Sequence, residues 1–374
     1  MKHITDKKLR IVFLDFDDIK NPLLGAGQAK ATLEVGKRLA EKGHLVTVLC
    51  SRYPGYEDRK ENGIKYVHIG LGTSNIRLNN LGYIFSIPLT VRNIKNADII
   101  VECFTAPIST LLSPLFTKIP VVGLPTSFEA ERFAKLYHLP FDKVEKFGLK
   151  QYKYFLPYTK YFEQKMKQVN QKVISKIVPE GVGAEFFKIK QKNPKHILFL
   201  GRFDIGQKGI DLLLRSYQKI AKDINYPLMM AGYGPDESKI KSLVKELGLE
   251  KQVIFTGKTF GAKKEKLLSE SLYVAFPSRH EGFSLFSLEA LAAGLPLVGF
   301  NIPGLSWTNS GIALKAKKFS INEYSKLLLK ATDKNIIGKM REEARIFAKK
   351  YTWENVANNF EQFFNLALKI ERIN

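Results

Sequence analysis

The stretch Leu272-Tyr273-Val274-Ala275-Phe276-Pro277-Ser278-Arg279-His280-Glu281-Gly282-Phe283-Ser284-Leu285-Phe286-Ser287-Leu288-Glu289-Ala290-Leu291-Ala292-Ala293-Gly294-Leu295-Pro296-Leu297-Val298-Gly299-Phe300 reads as strand, loop, helix, strand. Leu272 to Pro277 is a short apolar run ended by proline, Leu285 to Ala293 is helical, and Pro296 to Phe300 is a second short apolar run after Gly294. Strands that stay apolar throughout belong to a sheet covered on both faces, and a strand–helix–strand unit closes as a parallel pair.

Working outward, the same alternation recurs. Upstream lie a strand at His196 to Gly201, a helix at Ile210 to Asp223, a strand at Pro227 to Gly232, a helix at Glu237 to Leu247, a strand at Val253 to Thr256 and a helix near Lys263 to Ser271. An earlier series has strands at Arg10 to Phe16, Leu45 to Cys50, Ile64 to Ile69, Ala97 to Glu102 and Pro120 to Leu124, with an amphipathic helix from Gln28 to Lys42 stopped by Gly43. The fold class is therefore α/β, with two Rossmann-like, doubly wound parallel-sheet domains facing a central cleft. Residues 1–178 form the first domain, 179–194 a linker marked by Gly181 and Gly183, and 195–352 the second. A last helix, Trp353 to Lys369 within 353–374, is expected to pack back on the first domain.

A chain of 374 residues with 45% apolar and 25% charged residues can bury two cores. Its two cysteines, Cys50 and Cys103, each close an apolar run, which predicts buried free thiols and no disulfide or metal framework. The basic start, Met1 to Arg10, leads into a strand and not into a signal core. Leu81 to Val91, the longest apolar stretch, is about half the length of a membrane-spanning helix and contains Pro88. The net charge of +23 attracts polyanions: nucleic acid, anionic lipid or phosphorylated substrates.

The chemistry sits after strands. Glu281 and Glu289 flank a helix start, where unpaired amides and the positive dipole end favour a diphosphate while carboxylates accept bonds from sugar hydroxyls. Gly201-Arg202-Phe203-Asp204-Ile205-Gly206-Gln207-Lys208-Gly209 again leaves a strand for a helix, and its two cations suit a departing nucleoside diphosphate.

Together these stretches resemble the family 4 glycosyltransferases of GT-B fold, also called the group 1 family. Further marks are Gly25-Ala26-Gly27, Lys42-Gly43-His44, Pro179-Glu180-Gly181-Val182, Ala231-Gly232-Tyr233-Gly234-Pro235, Phe255-Thr256-Gly257 and Tyr351-Thr352-Trp353-Glu354, in this order over nearly the whole chain. The resemblance implies a retaining transferase whose second domain binds the nucleotide sugar and whose first binds a lipid-linked or saccharide acceptor, in cell-surface polysaccharide or glycolipid assembly. It places Arg202 and Lys208 on the diphosphate, Glu289 on the ribose hydroxyls, and Glu281 with the amides of Phe283 and Ser284 on the transferred sugar. The amide of Leu285 would reach a phosphate, Gly201, Lys258 and Gly282 would complete the donor site, and Thr256 to Thr259 would meet the base. Arg202, Lys208 and Glu281 are the catalytic set, with no protein nucleophile or general base, no cofactor and no metal.

Two departures stand out. The family's histidine after the strand at Val121 to Leu124 is replaced by Pro125-Thr126-Ser127, with Thr126 the candidate substitute beside the acceptor or phosphate loop Gly25-Ala26-Gly27. Ser284 and Gly183 stand where glycine and aspartate are usual.

Asp15-Phe16-Asp17 could be read as a metal-binding pair, but it leaves the first strand, ahead of a glycine loop. That loop lacks the third glycine of a dinucleotide site. Lys143 to Lys176, with nine lysines and two glutamates among seven aromatics, reads either as helices with inward rings or as a surface lying on anionic lipid. No nucleic-acid motif accompanies it. The expected location is cytoplasmic, peripheral on the inner face of the cell membrane if that surface binds lipid. Competing readings are an epimerase or phosphorylase of the same fold, the latter needing a pyridoxal-phosphate lysine, and a non-catalytic carbohydrate-binding protein.

Overall fold

The computed structural model describes residues 8–24, 27–104, 110–125, 128 and 130–373. The chain forms two compact units, one running to Glu180 and resuming at Trp353, the other spanning Gly181–Thr352.

The first unit is built on an eight-stranded sheet. Its elements are β1 (Arg10–Leu14), α1 (Gly27–Glu41), β2 (Leu45–Ser51), β3 (Arg59–Glu61), β4 (Ile64–Ile69), α2 (Ile76–Arg92), β5 (Ile99–Cys103), a 3₁₀ turn at Ser113–Leu115, β6 (Val121–Leu124), α3 (Ala130–Tyr137), α4 (Phe141–Leu149), β7 (Tyr154–Phe155), α5 (Lys160–Val169) and β8 (Ile174–Ser175). The strand order is β3-β4-β2-β1-β5-β6-β7-β8, and all pairs are parallel except β3 with β4. β1 lies between β2 and β5, with Ile11 opposite both Val46 and Ile99. Burial on both faces explains why these central strands are near-continuous apolar runs. β3, by contrast, is Arg-Lys-Glu at the sheet edge and carries no apolar pattern to announce it.

The second unit contains α6 (Ala184–Phe187), β9 (His196–Leu200), α7 (Ile205–Lys208), α8 (Ile210–Gln218), β10 (Leu228–Ala231), α9 (Glu237–Glu246), β11 (Val253–Gly257), α10 (Gly261–Ser269), β12 (Ser271–Phe276), α11 (Leu285–Ala292), β13 (Leu297–Phe300), β14 (Ala313–Ala316), α12 (Ile321–Lys330) and α13 (Lys334–Ala348). The strands run β11-β10-β9-β12-β13-β14, all parallel. Residues 181–194, expected to be a linker, belong to this unit. Phe186 and Ile189 enter its core, and the Gln191 amide donates to the carbonyls of Leu268 and Ala293. Apolar side chains placed among polar ones fastened the segment down where its composition suggested a free connector.

The closing helix α14 (Trp353–Ile373) returns to the first unit and packs on α1. Trp353, Val356, Phe360 and Phe364 are buried there, and Lys42 and His44 both reach Glu361, at 2.7 and 3.2 Å. Tyr154 donates its hydroxyl to Glu371 at 2.7 Å.

Candidate active site

Both sheets reverse direction once. In the second unit the chain proceeds from β9 outward to β10 and β11, then returns to lay β12 on the other side of β9. Helices from the two halves diverge at such a reversal, leaving a crevice beyond the carboxyl ends of β9 and β12. The loops that leave these two strands are Gly201–Asp204 and Pro277–Ser284, and Arg202, Lys208, Glu281, Ser284 and Glu289 lie on them or on the helices that follow.

Asp204 caps α7 by accepting the amide of Gln207 at 2.9 Å, and α7 ends at Gly209, whose φ of +61° turns the chain into α8. A Cβ on Gly209 would lie 2.2 Å from the Pro277 carbonyl oxygen, so glycine lets the two loops touch. The contact is then locked. Arg279 forks onto Asp211 at 2.7 and 2.8 Å and donates to the Ile205 carbonyl, while its own amide donates to Gln207. The bidentate pair pushes the Arg279 guanidinium above its ordinary range.

This junction brings Lys208 onto Glu281. The lysine ammonium donates to the Glu281 carboxylate, which also accepts the Ser278 hydroxyl at 2.9 Å. Arg202 is more open, its side chain 60% exposed, and donates to Asp204 and Gln207 at 3.1 Å each. Gly201 follows β9 directly, beside the Lys208 stem. Its carbonyl is crowded by Gly232, where a Cβ would stand 1.9 Å away. Lys258, after β11, is exposed with its ammonium 4.2 Å from the Tyr233 ring centroid, on the loop where Thr256 and Thr259 bond each other.

Gly282 and Phe283 run into α11, with Phe283 stacked on Trp307 at 4.7 Å between centroids. Ser284 is the N-cap, its hydroxyl accepting the Ser287 amide. Leu285 is the first helical residue, and first-turn amides have no acceptor within a helix. Glu289, one turn in, is buried, and Lys264 of α10 donates to it at 2.5 Å. That ammonium also lies 5.0 Å from the Phe186 ring centroid and 5.7 Å from that of Phe286.

The sequence reading missed Lys264 and Arg279. Lys264 stands three and four residues before the buried Leu267 and Leu268, so its face of α10 was visible in the helical period even though its partner was not. Arg279 stood inside the quoted stretch but finds its acid far upstream in α8.

In the first unit the reversal falls between β1 and β5. Gly27 opens α1, whereas Gly25, Ala26 and Thr126 lie outside the described residues. Asp15 faces inward: it accepts the hydroxyl of Thr32 and the Asp17 amide, and burial raises its carboxyl to about 6. Burial would also raise Asp18, but the Arg59 fork at 2.7 Å and the His68 ring at 2.8 Å hold it well below the usual carboxylate range. Asp18, Cys50 and His68 bring potential ligand atoms within 4.8 Å of one another, yet a guanidinium already occupies the carboxylate. Asp15 and Asp18 thus serve the unit's interior.

Of the aromatics in Lys143–Lys176, Tyr152, Tyr154, Phe155, Tyr158 and Phe162 are buried and Phe147 is exposed. The interleaving is mostly core alternating with solvated lysine. Cys50 and Cys103 are buried and are not joined in a disulfide. No helix among the described residues is long and apolar enough to cross a membrane.

Residues 184–351 match the family model for glycosyl transferases group 1, and residues 25–185 that for glycosyltransferase family 4. An uncharacterized glycosyltransferase of Methanocaldococcus jannaschii is 38% identical over 115 residues, 31% of this chain and 29% of that protein. The GDP-mannose:cellobiosyl-diphosphopolyprenol alpha-mannosyltransferase of Xanthomonas oryzae pv. oryzae is 24% identical over 185 residues, 47% of this chain and 48% of its own length. The matched stretch thus spans less than half of either relative. Among solved structures, the sucrose-phosphate synthase of Thermosynechococcus elongatus superposes with a TM-score of 0.79 at 17% identity, covering 97% of this chain and 100% of that one. WaaG, a glycosyltransferase involved in lipopolysaccharide biosynthesis, gives 0.70 at 18%, covering 93% and 98%. The fold is GT-B.

Proposed function

The chain belongs to the glycosyl transferases of group 1, and from that premise we propose that it is a retaining, metal-independent transferase moving a sugar from a nucleotide-diphosphate donor to a lipid-linked or saccharide acceptor in cell-surface glycan assembly. The observation that carries this reading is the pair of lysine–glutamate contacts beside α11: Lys208 with Glu281 ahead of the helix, and Lys264 with Glu289 inside it. A diphosphate drawn to the first-turn amides of α11 would compete with Glu281 for Lys208, freeing the carboxylate to accept sugar hydroxyls. Arg202, open to solvent, would close on the same phosphates. Glu289 would orient the ribose, with Phe283, Ser284 and Leu285 supplying amides, Gly201 and Gly282 leaving room, and Lys258 near the base.

In the transfer, the bond between the sugar C1 and the diphosphate oxygen breaks as the acceptor oxygen bonds to C1 from the same face. The acceptor proton passes to the departing diphosphate. No side chain need act as nucleophile, and the chain's task is to stabilise the charge on the leaving group, where losing one such donor typically costs roughly 3 to 4 kcal/mol. Acceptor binding is assigned to the first unit, around the loops after β1 and β6. The name of the Xanthomonas relative, a mannosyltransferase acting on a diphosphopolyprenol-linked saccharide, supports an acceptor of lipid-linked type.

The test is a thermal-shift and turnover screen of uridine, guanosine and adenosine diphosphate sugars with the purified chain, since a bound ligand stabilises the folded state by mass action. Stabilisation by one donor series, lost in Glu289→Ala, is expected. Absence of both binding and hydrolysis for every donor sinks the proposal.

A further inference from the structure

Large apolar side chains exposed to solvent are unevenly distributed. Of the eighteen such residues among those described, ten fall between Leu71 and Phe147: Leu71, Leu78, Leu81, Phe85, Leu89, Leu115, Leu136, Tyr137, Leu139 and Phe147. Singly exposed leucines need no explanation, but a contiguous set does.

The set begins on α2. Asn75 caps this helix by accepting the amides of Arg77 and Leu78, so its position is well defined. One stripe, Asn79, Tyr83, Ile87 and Val91, is buried against the sheet. The opposite stripe should be polar on a surface helix. Instead it is Leu78, Leu81, Phe85 and Leu89, exposed by 45, 51, 79 and 68%. Exposed Arg77 and Arg92 stand at its two ends, and the helix has no acidic residue.

The apolar surface continues beyond the helix. α2 packs on the 3₁₀ turn that carries Leu115. The residues leading into that turn, Thr110 and Leu112, press on Gly148 of α4, where a Cβ would meet them at 2.4 and 2.8 Å. α4 pairs with α3 in a hairpin whose connecting residues 135–140 are all exposed, Leu136, Tyr137 and Leu139 among them. On this hairpin exposed Arg132, Lys135, Lys143, Lys146 and Lys150 outnumber exposed Glu131 and half-buried Asp142.

We infer that the outer stripe of α2 and the tip of the α3–α4 hairpin form a docking surface for an anionic lipid bilayer. Apolar side chains flanked by an excess of arginine and lysine, on a helix without acid, match a bilayer interface: acyl chains take the leucines and phenylalanine, and phosphate headgroups pair with the cations. This surface differs from the basic aromatic segment read in the sequence, most of whose rings are committed to the core. The hairpin follows β6 and α2 follows β4, so both start at the carboxyl edge of the sheet, beside the loops assigned to the acceptor.

The test is flotation of the full-length chain with vesicles of phosphatidylcholine alone or mixed with phosphatidylglycerol, across a salt series. Binding is expected with the anionic mixture, falling as salt rises. Phe85→Glu/Leu89→Glu and, separately, Leu136→Glu/Leu139→Glu should each lower vesicle binding about tenfold or more, while Arg77→Gln/Arg92→Gln should flatten the salt dependence. All these side chains are exposed, so circular dichroism and the melting temperature should stay at wild-type values. Wild-type binding by the two glutamate variants overturns the inference, as does failure of the parent chain to float. Sedimentation showing a lipid-independent dimer that Phe85→Glu dissociates overturns it in favour of a second copy as the occupant. Flotation needs no donor sugar, so loss of the transfer proposal leaves this result readable on its own.

Discussion

Lys264 of α10 and Glu289 of α11 meet at 2.5 Å in a site where the glutamate side chain is 6% and the lysine side chain 17% exposed. Taking one charge away from so buried a pair costs more than the pair itself contributes, because the other group stays desolvated. The contact holds the Glu289 carboxylate at the position proposed for the ribose.

Removing the lysine is expected to destabilise the second unit more than removing both groups. Lys264→Met takes the ammonium away from a buried carboxylate, a cost of about 3 kcal/mol, whereas Lys264→Met/Glu289→Met should recover much of it. Denaturant titrations of the two variants decide the matter, and equal stabilities would show that the pair is uncoupled. Glu289→Ala should in addition weaken nucleotide binding by roughly 10- to 100-fold, corresponding to loss of a charged hydrogen bond.

Lys208→Met should separate chemistry from folding. If the lysine stabilises the departing diphosphate, kcat/KM for the donor falls by about 10²- to 10³-fold. Glu281 keeps the Ser278 hydroxyl as a partner in this variant, so the loss of stability should be small beside the loss of turnover. A rate within a few-fold of wild type would remove Lys208 from the mechanism.

Two glycines with positive φ should respond differently to alanine. Gly232 has φ +149° and its added Cβ would strike the Gly201 carbonyl oxygen, backbone against backbone. Gly248 has φ +66° and nothing within 4 Å. Gly248→Ala should cost about 1 kcal/mol from conformation alone, and Gly232→Ala about 3 kcal/mol or more, together with weaker nucleotide binding. Equal costs, read from chemical denaturation, would mean that the loops after β9 and β10 can part freely.

Acid titration should distinguish the two interior aspartates of the first unit. Asp15 is raised to about 6, so the unfolded chain ionises first and stability falls as pH climbs from about 4 to about 6, by roughly 3 kcal/mol in all. Asp15→Asn should abolish that slope. Asp18 is shifted the other way, so its contribution is complete above about 4 and is lost as pH drops below that. Arg59→Met, stranding Asp18 without its guanidinium, should cost about 3 to 5 kcal/mol near neutrality. An unchanged pH profile in Asp15→Asn would refute the assignment.

The residues that were legible in the sequence share a placement. Arg202, Lys208, Glu281 and Glu289 follow strands at short intervals, and a strand end before a helix is a position that the backbone itself marks. Lys264 and Arg279 were not legible because each is defined by a partner: Glu289 lies on another helix, and Asp211 lies before three intervening strands. α2 was met in the sequence only as the apolar stretch Leu81 to Val91. A helix apolar on both stripes reads as buried, and only the packing of Tyr83 and Ile87 against the sheet shows which stripe was left outside. β7 and β8, two residues each, carry too little pattern to be seen at all.

The sequence by itself determined the kind and order of elements, and with them the parallel, doubly wound architecture. Period, proline and glycine act within about ten residues and need no distant partner. The tertiary structure alone decided that β9 lies between β10 and β12 and β1 between β2 and β5, and so where each sheet reverses. It also decided which lysine faces which glutamate, which aspartates turn inward, and which leucines remain in water. These depend on side chains brought together from separate elements, and local physical chemistry does not specify such meetings until the core has closed.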